Sequence, residues 1–158
     1  MAQKTFVSEI LTASDVNTFL AGEGGAWTTW TPTVTQSGAV TVTNTRSRFA
    51  RYGRTIHFSC DLTVTGSGTA GNAILISLPV TAAASSTIPG GMPMGEGAVY
   101  DDSGVAVFRG QAALISTTSM QILSGATDFL SALGVSGFTL ALASPDRIAI
   151  TGSYEAAS

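Results

Sequence analysis

Charge is what this chain has least of. Seven basic and ten acidic side chains make up 11% of 158 residues, against roughly a quarter in an ordinary globular domain, and leave a formal net charge of −3. A general nucleic-acid binder is excluded on that balance, because its affinity would rest on neutralising many phosphates. Charge-driven disorder is excluded too, since 44% of the residues are hydrophobic. Cys60 is the single cysteine, so no intramolecular disulfide forms, and its place among apolar neighbours reads as a small buried hydrophobe. His57 is the single histidine, so any Ser–His or Cys–His nucleophile would have to use it. No apolar run approaches the roughly 18 residues of a membrane span. The opening Met1 to Glu9 has no signal-peptide core, and the expectation is a chain made in a cytoplasm without membrane insertion.

The shortfall in charge is filled by Thr, Ser, Gly and Ala, a mixture that suits pleated strands and tight turns. From Thr55 to Thr65 the pattern alternates strictly. Ile56, Phe58, Cys60, Leu62 and Val64 share one side of an extended chain, and Thr55, His57, Ser59, Asp61 and Thr63 share the other. One face is dry and one wet, as in antiparallel sheets; parallel sheets under helices read as continuous apolar runs. Short strands separated by turn signals at intervals of about 8 to 12 residues predict an all-β, antiparallel, jelly-roll-like β-sandwich.

Two regions are expected. Residues 1–26 form an N-terminal segment with a short helix, capped by Thr12 and Asp15 and stopped at Gly22, with Val16, Phe19 and Leu20 on one face. Two turns of helix are not stable alone in water, so the segment must dock on something. Residues 27–158 form the sandwich. Strands are expected around Val40 and Val42, from Phe49 to a turn at Gly53, through the alternating segment, at Ile74 to Leu78, at Met94 to Tyr100, at Val105 to Ile115, at Phe138 to Leu142 and at Arg147 to Tyr154. Residues 82 to 97 read as a long irregular connection, Asp101 to Gly104 as a hairpin turn and Asp128 to Leu133 as a helical turn.

The candidate chemistry is thin. Gly66, Gly68 and Gly71 match the spacing of a dinucleotide fingerprint, but a strand rather than a helix follows, so the glycines read as a hairpin loop and no cofactor is expected. Asp101 and Asp102 offer oxygen ligands for calcium without the further carboxylates that such a site gathers, so no metal site is assigned. No Gly-x-Ser-x-Gly occurs, Cys60 points away from His57 across its strand, and no catalytic residue is assigned. A glycan-cleaving enzyme would have to draw on Asp61, Asp101 and Asp102. Arg46, Arg48, Arg51 and Arg54 crowd around Phe49 and Tyr52, and Trp27 and Trp30 open the β region. Trp27, Trp30, Arg48, Arg51 and Tyr52 are therefore the candidate glycan or subunit contacts, with burial in structure as the competing reading.

Several stretches, taken in order, carry a family likeness. Phe6 to Leu20 resembles the opening of many tail-associated and other virion proteins of bacteriophages, especially those infecting actinobacteria. There, as at Trp30 to Val34, a β-rich module follows that begins with a Trp and a Thr-Pro pair. The run Phe49 to Phe58, the strand end Ile76 to Pro79 and the closing Gly152 to Ala156 are similar to the same family. What the resemblance implies is a non-enzymatic virion component: a tail fibre, minor tail or receptor-binding module, usually a homotrimer. Val16, Phe19 and Leu20 would anchor it to other virion proteins, and the sandwich would meet a host cell-surface glycan. The absence of a fibre shaft or coiled coil leaves a capsid decoration protein as the alternative.

Overall fold

A computed structural model describes residues 26–84, 91–124, 131–132 and 140–157. The expected N-terminal helix, with Val16, Phe19 and Leu20, lies outside the described residues. Among those residues every regular element is a strand. In chain order they are β1 (Thr28–Thr29), β2 (Val34–Gln36), β3 (Gly38–Val40), β4 (Val42–Asn44), β5 (Arg48–Tyr52) and β6 (Thr55–Val64). There follow β7 (Leu75–Ser77), β8 (Met92–Asp101), β9 (Ala106–Leu114), β10 (Ser119–Ser124), β11 (Ser131–Ala132) and β12 (Arg147–Glu155).

The alternation from Thr55 becomes β6, and its dry side is complete: Ile56, Phe58, Cys60, Leu62 and Val64 are each at most 1% exposed. Each large apolar side chain so buried contributes on the order of 1.5–3 kcal/mol. Gly53, at φ 59°, is the first residue of the two-residue loop joining β5 to β6, a position where a positive φ favours glycine. All pairings are antiparallel, and hydrogen bonds link the strands in the order β1-β5-β6-β12-β8-β9-β10-β7-β2-β3.

Residues 38–44 show how this sheet curls into a half-barrel. Gly38–Val40 pair with β2 at one end of the order, and after Thr41 the next three residues pair with β6, near the other end. Asp61 O then accepts from both Thr45 N and Arg46 N, at 3.0 and 3.1 Å, a two-against-one irregularity that separates β4 from β5 along the same edge of β6. Inside the curl one apolar cluster gathers Trp30, Val34, Phe58, Ile76, Ile122, Ile148, Tyr154 and their neighbours.

The all-β, antiparallel expectation holds, with local corrections. β8 begins at Met92, inside the stretch read as irregular. Ser131 and Ala132, read as part of a helical turn, pair as a strand with Leu123 and Ser124. Leu140 and Leu142, read as strand, are buried outside the ladders, because the side chain of Gln36 takes backbone groups that a neighbouring strand would otherwise take. β10 had no expectation at all.

Candidate functional site

Register builds the site. Residues paired across an antiparallel sheet share a face, so the wet side of β6 extends over β12, β8 and β9 in rows. One row reads Arg48, Ser59, Thr151, Glu96 and Gln111; the next reads Asp61, Ala149, Ala98 and Arg109; a third reads Thr63, Arg147, Tyr100 and Val107. In the middle row two alanines stand between a carboxylate and a guanidinium. Short side chains at the centre and long ones at the sides make a trough.

The central hollow, about 900 Å³, is lined by Arg46, Asp61, Glu96, Arg109, Gln111 and Thr151 among others. Asp61, Ala98 and Ala149 also line a smaller hollow of about 360 Å³ toward Tyr100, Val107 and Arg147. In the other direction Glu96 and Thr151 lead into a hollow of about 810 Å³ bounded by Trp27, Tyr52 and His57. The three hollows adjoin through these shared residues. One end is aromatic and the other charged.

The aromatic end is held by ring contacts. The Arg48 guanidinium lies over the Trp27 ring at 4.6 Å from its centroid, and Tyr52 meets His57 edge to face at 5.8 Å. Trp27 and Tyr52 are nonetheless about half exposed, at 49% and 50%. At the charged end Arg147 reaches Asp61 at 3.5 Å, an exposed pair that adds little stability. Arg46 and Glu96 face the central hollow, and neither side chain has a hydrogen bond or ion pair among the described residues.

The residues singled out from the sequence go to different places. Trp27, Arg48 and Tyr52 come together at the aromatic end. Trp30 does not join them: it is a core residue, 8% exposed and edge-on to Phe58 at 5.9 Å. The four clustered arginines separate as well. Arg46 lines the trough and Arg48 covers Trp27, while Arg51 Nε donates to Gly53 O at 2.8 Å on the hairpin and Arg54 pairs with Glu155 at 3.2 Å.

The reactive side chains singled out from the sequence lie apart. Cys60 faces the core, on the opposite side of β6 from His57, and burial pushes its thiol up to about 11, although the Ser47 hydroxyl works against the shift. The thiolate that a nucleophile needs is suppressed. Asp101 closes its turn by accepting from Ser103 Oγ at 2.7 Å and Gly104 N at 3.0 Å, and these bonds hold its carboxyl below the usual range. Asp102 gives its backbone N–H to the buried Asp146 at 3.0 Å, and Asp146 also accepts from Ala143 N at 2.9 Å. Among the described residues no three His, Cys, Asp or Glu side chains group as metal ligands.

The glycine fingerprint has a packing role. Gly68 lies against the Gln36 amide, where a Cβ would collide with Oε1, and Gly68 N donates to Leu142 O at 2.7 Å. A strand, β7, follows the loop.

Reading the sequence alone missed Glu96, Ala98, Arg109, Gln111, Ala149 and Thr151. The alternation of Arg147, Ala149, Thr151 and Ser153 was a visible sign of an outer face, but only the pairing register brings it beside Ser59 and Glu96. Compared with known protein families, curated proteins and solved structures, the chain matches none.

Proposed function

We propose that the chain is a non-enzymatic structural protein of a bacteriophage virion, a tail-associated fibre or spike that serves host-surface attachment. In this reading residues 1–26 dock on other virion proteins through Val16, Phe19 and Leu20. Residues 27–158 form a jelly-roll-like sandwich that faces outward as a trimer. The ordered likeness of the sequence to phage virion proteins motivates the setting. The observation that carries attachment is the trough, which offers stacking rings, hydroxyls, an amide and charges on a register-locked sheet face: groups suited to noncovalent recognition. Trimeric display would convert weak contacts into avidity.

Labelling the chain on intact particles tests the reading. Signal at the tail tip is the expected result, and signal over the whole head would identify a capsid decoration protein instead. Removing residues 1–26 should abolish incorporation into particles. Light scattering that shows only monomer at micromolar concentration would remove the trimer.

A further inference from the structure

We infer that the trough binds an anionic polysaccharide, seating an acidic group between Arg46 and Arg48 and a sugar ring against Trp27. This rests on the attachment reading and names the ligand class for it.

Charge points first to an acidic ligand. Among the described residues the face carries four arginines (Arg46, Arg48, Arg109 and Arg147) and two carboxylates (Asp61 and Glu96), on a chain whose net charge is −3. An acidic molecule with one basic face orients an approaching anion toward that face. The positive charges are not all spent internally. Asp61 engages Arg147, whereas Arg46 has no ion pair and Arg48 Nε is buried without a hydrogen-bond partner. The Arg48 guanidinium is held over the Trp27 ring, so its charge stays at the aromatic end of the trough.

Hydroxyl-rich character comes second. Ser59, Thr151 and Gln111 follow Arg48 along one row with Glu96 among them, so donors and acceptors recur at strand spacing, roughly 4.8 Å. Sugar hydroxyls can use both kinds of group. Trp27 supplies the apolar complement: one ring face meets Arg48, yet half of the residue remains exposed at the hollow. Glu96 in the same row disfavours a ligand with a phosphate at every step and no hydroxyls to give, so an acidic glycan fits better than a nucleic acid strand.

The full-length chain, titrated calorimetrically, tests this with three probes: an oligogalacturonate, a phosphorylated dextran oligomer of similar charge, and the neutral, unmodified dextran oligomer. Binding of either acidic polymer and not of dextran is expected, and which one binds identifies carboxylate or phosphate as the source of charge. Arg46→Gln and Trp27→Ala should each weaken binding about tenfold or more, with thermal unfolding showing that both variants fold. Arg51→Gln, at the hairpin outside the trough, should leave it unchanged. Binding should also fall as added salt shortens the Debye length from about 10 Å to about 3 Å. Failure of both acidic polymers to bind, equal binding of dextran, tighter binding of single-stranded DNA, or equal losses in R51Q and R46Q would each overturn the inference. A protein at the tail tip that bound neither polymer would remove this inference and leave attachment standing. Binding by a protein that studs the head would do the reverse.

Discussion

The side-chain amide of Gln36 fastens Leu142 to the sheet across 106 residues of chain: Oε1 accepts from Leu142 N at 3.0 Å. The same amide donates through Nε2 to Leu140 O at 2.7 Å and to Asn72 O at 3.1 Å. Gln36 is 1% exposed, so no water replaces these bonds if they are lost. Gln36→Leu keeps the apolar bulk and strands three backbone groups, each at a cost of about 1–3 kcal/mol. The expected loss is about 3 kcal/mol or more, read as a lower urea midpoint at unchanged slope. A loss under about 1 kcal/mol would mean that the amide does not hold this segment in solution.

Gly97 is a steric requirement. It lies on the inner side of β8, where an added Cβ would stand 2.9 Å from Ile122 Cγ1 and 3.0 Å from its Cδ1. The two strands are separated by β9, and only strong curvature brings their inner faces so close. Gly97→Ala should therefore destabilise by about 1–3 kcal/mol through overpacking. In an Ile122→Ala background the same change should be nearly neutral. A double-mutant cycle from denaturant unfolding measures the difference, and strict additivity would show that the two residues do not meet.

What the letters revealed, and what they hid, follows from how each element is exposed. β6 was legible because one side is wet and one dry, so period two is written directly in Thr55 to Val64. β10 was not, because Met120, Gln121, Ile122 and Leu123 are all buried and alternation disappears when both faces are covered. Leu140 and Leu142 alternate with smaller residues as a strand would, yet a distant glutamine serves their backbone. Trp27 and Trp30 sit in nearly the same local sequence. One lies on the rim and the other in the core, a choice made by the contact with Phe58 and by the stack with Arg48. The trough was hidden for a similar reason: its rows draw on five strands, and each row exists only once register is set.

Two buried acids make the fold sensitive to alkali. Burial pushes the Tyr154 phenol up to about 12, against the opposing effect of its bond to Val80, and pushes the Cys60 thiol up to about 11. Tyr154 donates to Val80 O at 2.5 Å and accepts from Val80 N at 3.1 Å. Both groups hold their protons longer in the folded state than in the unfolded chain, where they ionise near about 10 and about 8.5. The unfolded state therefore gains from ionisation first. Stability is complete below about pH 8.5 and falls as pH rises through about 11 and 12, by on the order of 2 kcal/mol for each group. Urea midpoints measured across that range should fall, and Tyr154→Phe should flatten the upper part of the decline. Cys60 should also resist a thiol reagent in the native protein and react fully on unfolding.

The Arg48 guanidinium over the Trp27 ring should hold the indole in place at the rim of the trough, and fluorescence can read that hold. Trp30 is buried, so a neutral quencher such as acrylamide reports chiefly on Trp27. Removing the guanidinium in Arg48→Ala uncovers the second ring face and frees the side chain. Quenching should rise and fluorescence anisotropy should fall, while the loss of stability stays at about 1 kcal/mol because the pair is partly exposed. Arg48→Lys should restore the charge without the planar stack, and its quenching should fall between the two. A Trp30→Phe background isolates the Trp27 signal and makes the comparison direct. If quenching were the same with Arg, Lys and Ala at this position, the ring would not be held by residue 48. A sugar ring arriving at the trough would then find a mobile indole and would have to bear the entropy of ordering it.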